Sequence, residues 1–291
     1  MYHQGERTVQ RRAGLTADGW GSVGVDAVIP PVAAEFLAQQ RMVVLGAATD
    51  DGTVWTSVLT GPAGFVTAAD DRTVAAAGVP DGPLAGLFDT ERDLGMLAIE
   101  PATRRRMRIN GRAHAADGRL LVRTEQVYAN CPKYIQTRTV VGDAPSAAGE
   151  PRRTRELTAA QQRWITAADT FFVTTHAAGL GADTSHRGGN PGFVTATGRR
   201  LSWPDYTGNS MYMTLGNLEL DPRCGLLFLD WEHGNTLQLT GRASTDWDPA
   251  RAAATPGAHR MVDFEVEQVI ETAETSPLRW SFEKYSRFNP S

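Results

Sequence analysis

A chain of 291 residues has room for two ordinary domains or one large one, and at that length it folds without needing a disulfide or a metal. Its 41% hydrophobic and 21% charged residues exclude wholesale disorder. A net charge of −4 argues against a general nucleic-acid binder, which presents a basic face. No run approaches the ~20 apolar residues of a membrane-spanning helix, and residues 1–30 carry charges where a secretory signal needs an apolar core. Cys131 and Cys224 have neither zinc-site nor C-x-x-C spacing, so the expected home is a reducing cytoplasm.

In chain order, residues 1–29 read as an N-terminal extension. PPVAAEFLAQQ, from Pro30, predicts a short helix. Short runs rich in β-branched residues follow: MVVLGAA, FVTAA, TVAAAG, LGMLAIE, RMRINGRAHA and LLVRTEQVY. They make residues 30–141 a first β domain. The Gly-, Pro- and Ala-rich residues 142–156 read as a linker. TAAQQRWITAAD predicts a second leading helix, with Thr158 and Gln161 in capping-box spacing. The strands FFVTTHA, GFVTATG, RLSWPDY, GLLFLDW, NTLQLTGRAST and MVDFEVEQVIE then fill residues 157–291, with a helix in NSMYMTLGNLELDP closed by Pro222. Six short strands with one helix before the fourth predict an antiparallel barrel.

The two halves repeat. A shift of 128 places brings TSVLTGPAGFVTA (56–68) onto TSHRGGNPGFVTA (184–196) with eight of thirteen positions identical, where background composition gives roughly one. A shift of 130 aligns LGMLAIE with CGLLFLD and the Gly-Arg-Ala after Asn110 with that after Thr240, and a shift of 142 aligns the two Glu-Gln-Val runs at Glu125 and Glu267. A unit of this length is a whole domain used twice.

The copies differ in their chemistry. Ser185, His186, Arg187, Gly188 and Gly189 offer a hydroxyl, an imidazole, a guanidinium and two side-chain-free residues. That set suits a phosphate approaching the backbone. Lys133, one of only two lysines, follows Pro132 and could supply charge to a phosphate or acidic substrate; Tyr134 beside it offers a flat face for stacking. Cys131 reads as structural. Arg104, Arg105, Arg106 and Arg108 read as a turn and the solvated side of a strand whose other face carries Met107 and Ile109. The histidines have no metal-ligand spacing, and no metal is expected.

The stretches TSVLTGPAGFV, RRRMRINGRA, EQVYANCPKYIQ, SHRGGNPGFV, PDYTGNSMYMTLGNLELDP, FLDWEHGNTLQLTGRA and LRWSFEKYSRFNP resemble the pyridoxamine 5′-phosphate oxidase-like superfamily of FMN-binding split barrels, in a tandem two-barrel form. The resemblance implies a mainly β fold of two split barrels forming an intramolecular pseudo-dimer, whether the molecule is a monomer or a homodimer. It implies one FMN in the groove between the barrels and an oxidoreductase acting on a small organic molecule, with no nucleic-acid or membrane partner. The alternatives are a deazaflavin or haem in place of FMN, or a flavin-binding protein without catalysis. By the same resemblance Asn209, Ser210 and Thr214 lie near the phosphate, Gln238 near the polar edge of the flavin ring, and Arg279 and Trp280 in a C-terminal segment closing over the site. Thr214 stands where the family often has lysine. No catalytic acid or base is nominated.

Overall fold

A computed structural model describes residues 2–15, 25–145 and 148–291. Of the expected extension, residues 1 and 16–24 lie outside the described residues, as do 146 and 147 of the expected linker. The first half runs α1 (Gln4–Arg12), α2 (Pro31–Ala38), β1 (Met42–Ala48), β2 (Val54–Thr60), β3 (Val66–Asp70), β4 (Thr73–Ala77), β5 (Arg92–Glu100), β6 (Arg105–Ala116), β7 (Arg119–Ala129) and β8 (Thr137–Asp143). The second runs β9 (Arg152–Thr154), α3 (Ala159–Ala167), β10 (Thr170–Ala177), β11 (Gly181–Gly188), β12 (Thr195–Thr197), β13 (Arg200–Tyr206), α4 (Met213–Leu220), β14 (Arg223–Leu229), β15 (Thr236–Asp246), α5 (Pro249–Ala253), β16 (Ala258–Thr272) and β17 (Leu278–Lys284).

The two main sheets have one topology. Strand order is β2-β1-β5-β6-β7-β4-β3 in the first and β11-β10-β14-β15-β16-β13-β12 in the second, with β9 added at β16. Each strand takes the place of its repeat partner, so the duplication is present in the fold as well as the sequence. Seven strands build each path, where the sequence reading counted six; β2 and β11 are the additions. The sheets curl around separate cores, the first gathering Val43, Leu45, Leu94, Met96 and Ile109 with Phe36 and Leu37 of α2 across the opening. The second gathers Phe171, Val173, Leu226, Phe228 and Phe264. Each is a split β-barrel.

The barrels pack through the opposite faces of the same strands. Val43 and Leu45 point into the first barrel, whereas Met42 and Val44 join Leu97, Ile99, Phe172, Leu227 and Leu229 in a third cluster at the seam. A strand buried on both faces has no reason to alternate polar with apolar residues, which is why MVVLGAA and GLLFLDW read as unbroken apolar runs. Each large side chain fully buried here contributes roughly 1.5–3 kcal/mol.

A pseudo-twofold axis passes through the seam. Thr56 donates to the Gly225 carbonyl at 2.9 Å, and its repeat partner Thr184 donates to the Gly95 carbonyl at 2.8 Å. Between them sits the Thr174 hydroxyl, 2.8 Å from Thr56 Oγ1 and 2.9 Å from Thr184 Oγ1. The repeat partner of Thr174 is Gly46, where a Cβ would fall 2.0 Å from Thr174 Oγ1. Further along the axis β8 and β17 pair antiparallel, with Arg138 opposite Phe282, Thr139 opposite Ser281 and Val140 opposite Trp280. Thr139 and Ser281 are themselves repeat partners at the shift of 142.

Helix α1 crosses to the second barrel and packs on α4. The two helices meet at glycines: a Cβ on Gly5 would lie 2.1 Å from the Gly216 carbonyl oxygen, and one on Gly216 would lie 2.5 Å from Glu6 Cγ. His3 caps α1 by accepting from the Gly5 amide at 3.1 Å, while Glu6 accepts from the His3 amide at 2.7 Å. Gln10 donates to the Met211 carbonyl at 3.4 Å. The leading helices α2 and α3 form where the sequence reading put them, α3 with the Thr158–Gln161 capping box in place. Among the described residues no helix is long and apolar enough to cross a membrane.

Candidate functional site

A groove opens where β6 and residues 130–134 of the first barrel face β11 and residues 204–215 of the second, with a cavity volume of about 100 Å³. Of the residues singled out from sequence, Lys133, Tyr134, His186, Arg187, Gly188, Asn209, Ser210 and Thr214 line it. Arg106, Arg108 and Cys131 line it as well. Met107 and Ile109 do face the first barrel's core. The opposite face of β6 is not solvated as expected, however, because the second barrel covers it and buries Arg108.

At the floor of the groove lies Asp183, 2% exposed and not singled out from sequence. Its carboxylate accepts from Arg108 Nη1 at 3.0 and 3.1 Å, Tyr128 Oη at 3.2 Å, Asn110 Nδ2 at 3.3 Å and Thr214 Oγ1 at 3.2 Å. Burial alone presses the Arg108 guanidinium toward neutrality, but the Asp183 charge together with the bonds to Asp183 and Tyr128 outweighs it and holds Arg108 above its ordinary range. Ser185 Oγ accepts from Arg108 Nη2 and from Arg187 Nη1, both at 2.5 Å. Ser185, beneath the groove, and Thr214, on its wall, are thus engaged in holding the arginines and Asp183 in place; the resemblance implies a place near the phosphate for Thr214.

Above that floor the groove is cationic. Burial, with Arg108 and Arg187 close by, brings Arg106 down to about 9, and burial likewise lowers Arg187. Arg106 remains charged at neutral pH. Asp205 is pushed up by burial against the pull of Arg187 and Arg260, and its carboxylate lies 3.5 Å from Arg260 Nε. Among the described residues neither Arg106 nor Lys133 has a carboxylate at ion-pair distance. His186 is held well below its ordinary range, by burial first and then by Arg106 and Arg187. Its Nδ1 lies 2.9 Å from Arg106 Nη1 and accepts from it, which puts the ring proton on Nε2. That Nε2–H is buried without a partner, as is Arg106 Nε.

The walls are strained as well as charged. Tyr134, Ser210 and Tyr212 adopt left-handed backbone at φ of 66°, 61° and 57°, a conformation costly for side chains of this kind. Tyr134 Oη donates to the Thr207 carbonyl at 3.1 Å and its ring lies 5.1 Å from that of Tyr206, while Asn209 Nδ2 donates to Asn130 Oδ1 at 3.3 Å. The loops of the two barrels are thereby joined at the mouth. Tyr212 precedes α4 with no side-chain cap, and it lines the groove together with Met213, Thr214 and Leu215 of the first turn.

Three residues expected at the site lie elsewhere. Gln238 is the repeat partner of Arg108 and sits at the equivalent place across the axis, donating to the Thr56 carbonyl at 2.8 Å. Arg279 folds back on its own segment, donating to the Ser276 carbonyl at 2.7 Å. Trp280 packs edge-on against Trp231 with ring centroids 5.4 Å apart. Both follow from the pairing of β17 with β8, which draws the tail along the axis and away from the groove.

The symmetry-related position across the axis lacks these cations. Strand registers fix the partners: Leu97 pairs with Arg108 as Leu227 pairs with Gln238, and Phe172 pairs with His186 as Val44 pairs with Val58. Thr236, Gln238, Val58 and Leu59 stand there for Arg106, Arg108, His186 and Arg187.

The strand order, repeated about an axis with a polar groove at its seam, defines a tandem split-barrel protein. No protein-family model matches the sequence, and no curated protein does. Single-barrel solved structures align with it. HupZ of Group A Streptococcus shares 12% identity over 42% of this chain and 98% of its own, with a TM-score of 0.34. A candidate pyridoxamine 5′-phosphate oxidase from Lactobacillus delbrueckii shares 17% over 40% of this chain and 94% of its own, TM-score 0.33. An FAD-binding protein of Mycobacterium smegmatis shares 13% over 41% and 98%, TM-score 0.29. The fold assignment rests on the strand orders and registers rather than on these alignments.

Proposed function

We propose that this protein is a flavin-dependent oxidoreductase acting on a small organic molecule, with FMN in the charged groove. The observation that carries the reading is an excess of guanidinium over carboxylate in a buried cleft, where His186 Nε2–H and Arg106 Nε are left without partners. Buried donors of this kind are normally satisfied, and an anion with several acceptor oxygens satisfies them together. The residues present therefore fit a flavin phosphate. Arg187 and Arg106 hold its charge, the neutral His186 donates to it, and the first amides of α4 add backbone donors. Asp183 and Ser185 keep Arg108 and Arg187 oriented, and Tyr134 and Tyr206 offer aromatic faces at the mouth. Bound flavin supplies the hydride and single-electron chemistry that side chains lack. Because both walls belong to one chain, a monomer completes the groove.

His186 disfavours the haem alternative. An axial ligand needs a free ring lone pair, and here Nδ1 is engaged by Arg106 while Nε2 carries the proton.

Titrating the full chain with FMN while following flavin fluorescence tests the proposal. We expect saturable quenching, weaker binding of riboflavin, which lacks the phosphate, and NAD(P)H oxidation by the loaded protein when an electron acceptor is present. Absence of FMN binding at micromolar concentrations overturns it, and binding of a deazaflavin in FMN's place moves the assignment to that cofactor.

A further inference from the structure

Beside the groove lies a second cavity, of about 670 Å³, whose walls include Val28, Pro30, Val32, Phe36, Met107 and Pro132. Two polar residues, Arg106 and Asn130, line this cavity and the groove alike, so the two spaces adjoin at these residues. Three consecutive arginines stand at that boundary. Arg105 is engaged, paired with Glu100 at 2.9 Å and lying over the Phe36 ring at 5.0 Å. Arg104 sits in a left-handed turn at φ 58°, and among the described residues neither it nor Arg106 has a carboxylate at ion-pair distance. The one acidic residue lining the cavity, Asp26, accepts from the Val28 amide at 3.2 Å and bridges to Val127. An apolar chamber bordered by Arg104 and Arg106, whose two charges exceed that of its single acid Asp26, is complementary to a molecule with an apolar body and a single negative head.

We propose that this cavity is a binding site for an apolar monocarboxylic acid, whose carboxylate meets Arg104 and Arg106 at the edge of the groove and whose hydrocarbon body lies among Val28, Val32, Phe36 and Met107. The volume suits an organic ligand of moderate size. Charge selects the acid over a neutral molecule of equal length, because a partly desolvated guanidinium gains more from a carboxylate than from a hydroxyl. Arg106 touches both spaces, so occupation of the cavity alters the field within the groove.

Calorimetric titration of the full chain with octanoate and with 1-octanol tests the site. Octanoate is expected to bind saturably and at least tenfold tighter than the alcohol. Val32→Glu, at a position 69% exposed and therefore safe for folding, is expected to weaken octanoate at least tenfold by placing a like charge on the apolar wall, with FMN affinity unchanged. No saturable octanoate binding, equal affinity for the alcohol, or indifference to Val32→Glu each overturns the proposal. The flavin reading stands or falls separately: octanoate binding without FMN binding defeats that reading alone, and FMN binding without octanoate binding defeats this one alone. With both bound, octanoate is expected to shift the flavin's visible absorption band; an unmoved band overturns the link through Arg106.

Discussion

Arg108 and Asp183 come from different barrels and form an ion pair at 3.0 Å, with side chains 10% and 3% exposed. The pair joins the halves and supports the groove floor. Removing one member leaves the other charged and buried. Asp183→Ala is therefore expected to lower stability by about 3–5 kcal/mol, measured by urea unfolding. Adding Arg108→Met to that variant should recover a substantial part; a double variant no better than the single one would show that the charge of Arg108 is not what the loss exposes.

Arg187→Met tests the anion site. Loss of a charged hydrogen-bond donor costs about 1.5–3 kcal/mol, so FMN affinity should fall by roughly 10- to 100-fold. Riboflavin affinity should stay the same, since it has no phosphate for Arg187 to hold. Equal weakening of both ligands in parallel fluorescence titrations would place Arg187 at the ring or in the fold instead.

Glu6 predicts a pH dependence. Burial first, and the charge of Asp183, push its carboxyl from 4.5 up to about 7 against the bond it accepts from the His3 amide. A raised acid favours the folded state below pH 4.5, and that contribution is lost as pH climbs through the folded value near 7. Glutamine carries no such titration, so the stability of the native chain minus that of Glu6→Gln should decline between those pH values, by on the order of 3 kcal/mol at most. His186, lowered by burial, acts oppositely, losing stability as pH falls below 6.5, but it is common to both proteins and cancels. A flat difference across the window would mean that Glu6 is ionised in the fold.

At the axis, Gly46→Ala places a methyl 2.0 Å from Thr174 Oγ1 and 2.6 Å from its Cβ. Overpacking of this kind typically costs 1–3 kcal/mol, read as a lowered Tm. Exchanging the two residues, Gly46→Thr with Thr174→Gly, is expected to restore most of the loss, because the neighbours Thr56 and Thr184 are themselves symmetry-related.

Much of this architecture is legible in the sequence, for identifiable reasons. The duplication is visible because the segments 56–68 and 184–196 set Thr56 and Thr184 at the seam and Val66 and Val194 in the two barrel cores, where close packing limits change. The second leading helix is visible because Thr158 and Gln161 are spaced for a cap. Helix α1 escaped because its buried residues are Gly5, Glu6, Val9 and Gln10, which leave no apolar stripe to detect; it is held by glycine contacts and hydrogen bonds. The displacement of Arg279 and Trp280 arises from pairing between β8 and β17, a contact across the whole chain that no local pattern announces. Asp183 looks like a surface acid in ADTSHRGG. The repeat held its signal, since the shift of 128 sets it on Trp55, which is 4% exposed, and an acid at an interior position demands a buried cation. Arg108 is that cation, and strand alternation marks it as solvated because the covering surface belongs to the other barrel.

The glycine at position 46 also decides which halves can marry. Two first halves would set glycine against glycine and leave a hollow; two second halves would crowd a pair of threonines into space for one. Only the unlike match fills the centre cleanly. Fusion into a single polypeptide freed the two sides of the axis to differ there, and having differed, neither half retains a comfortable twin of its own kind.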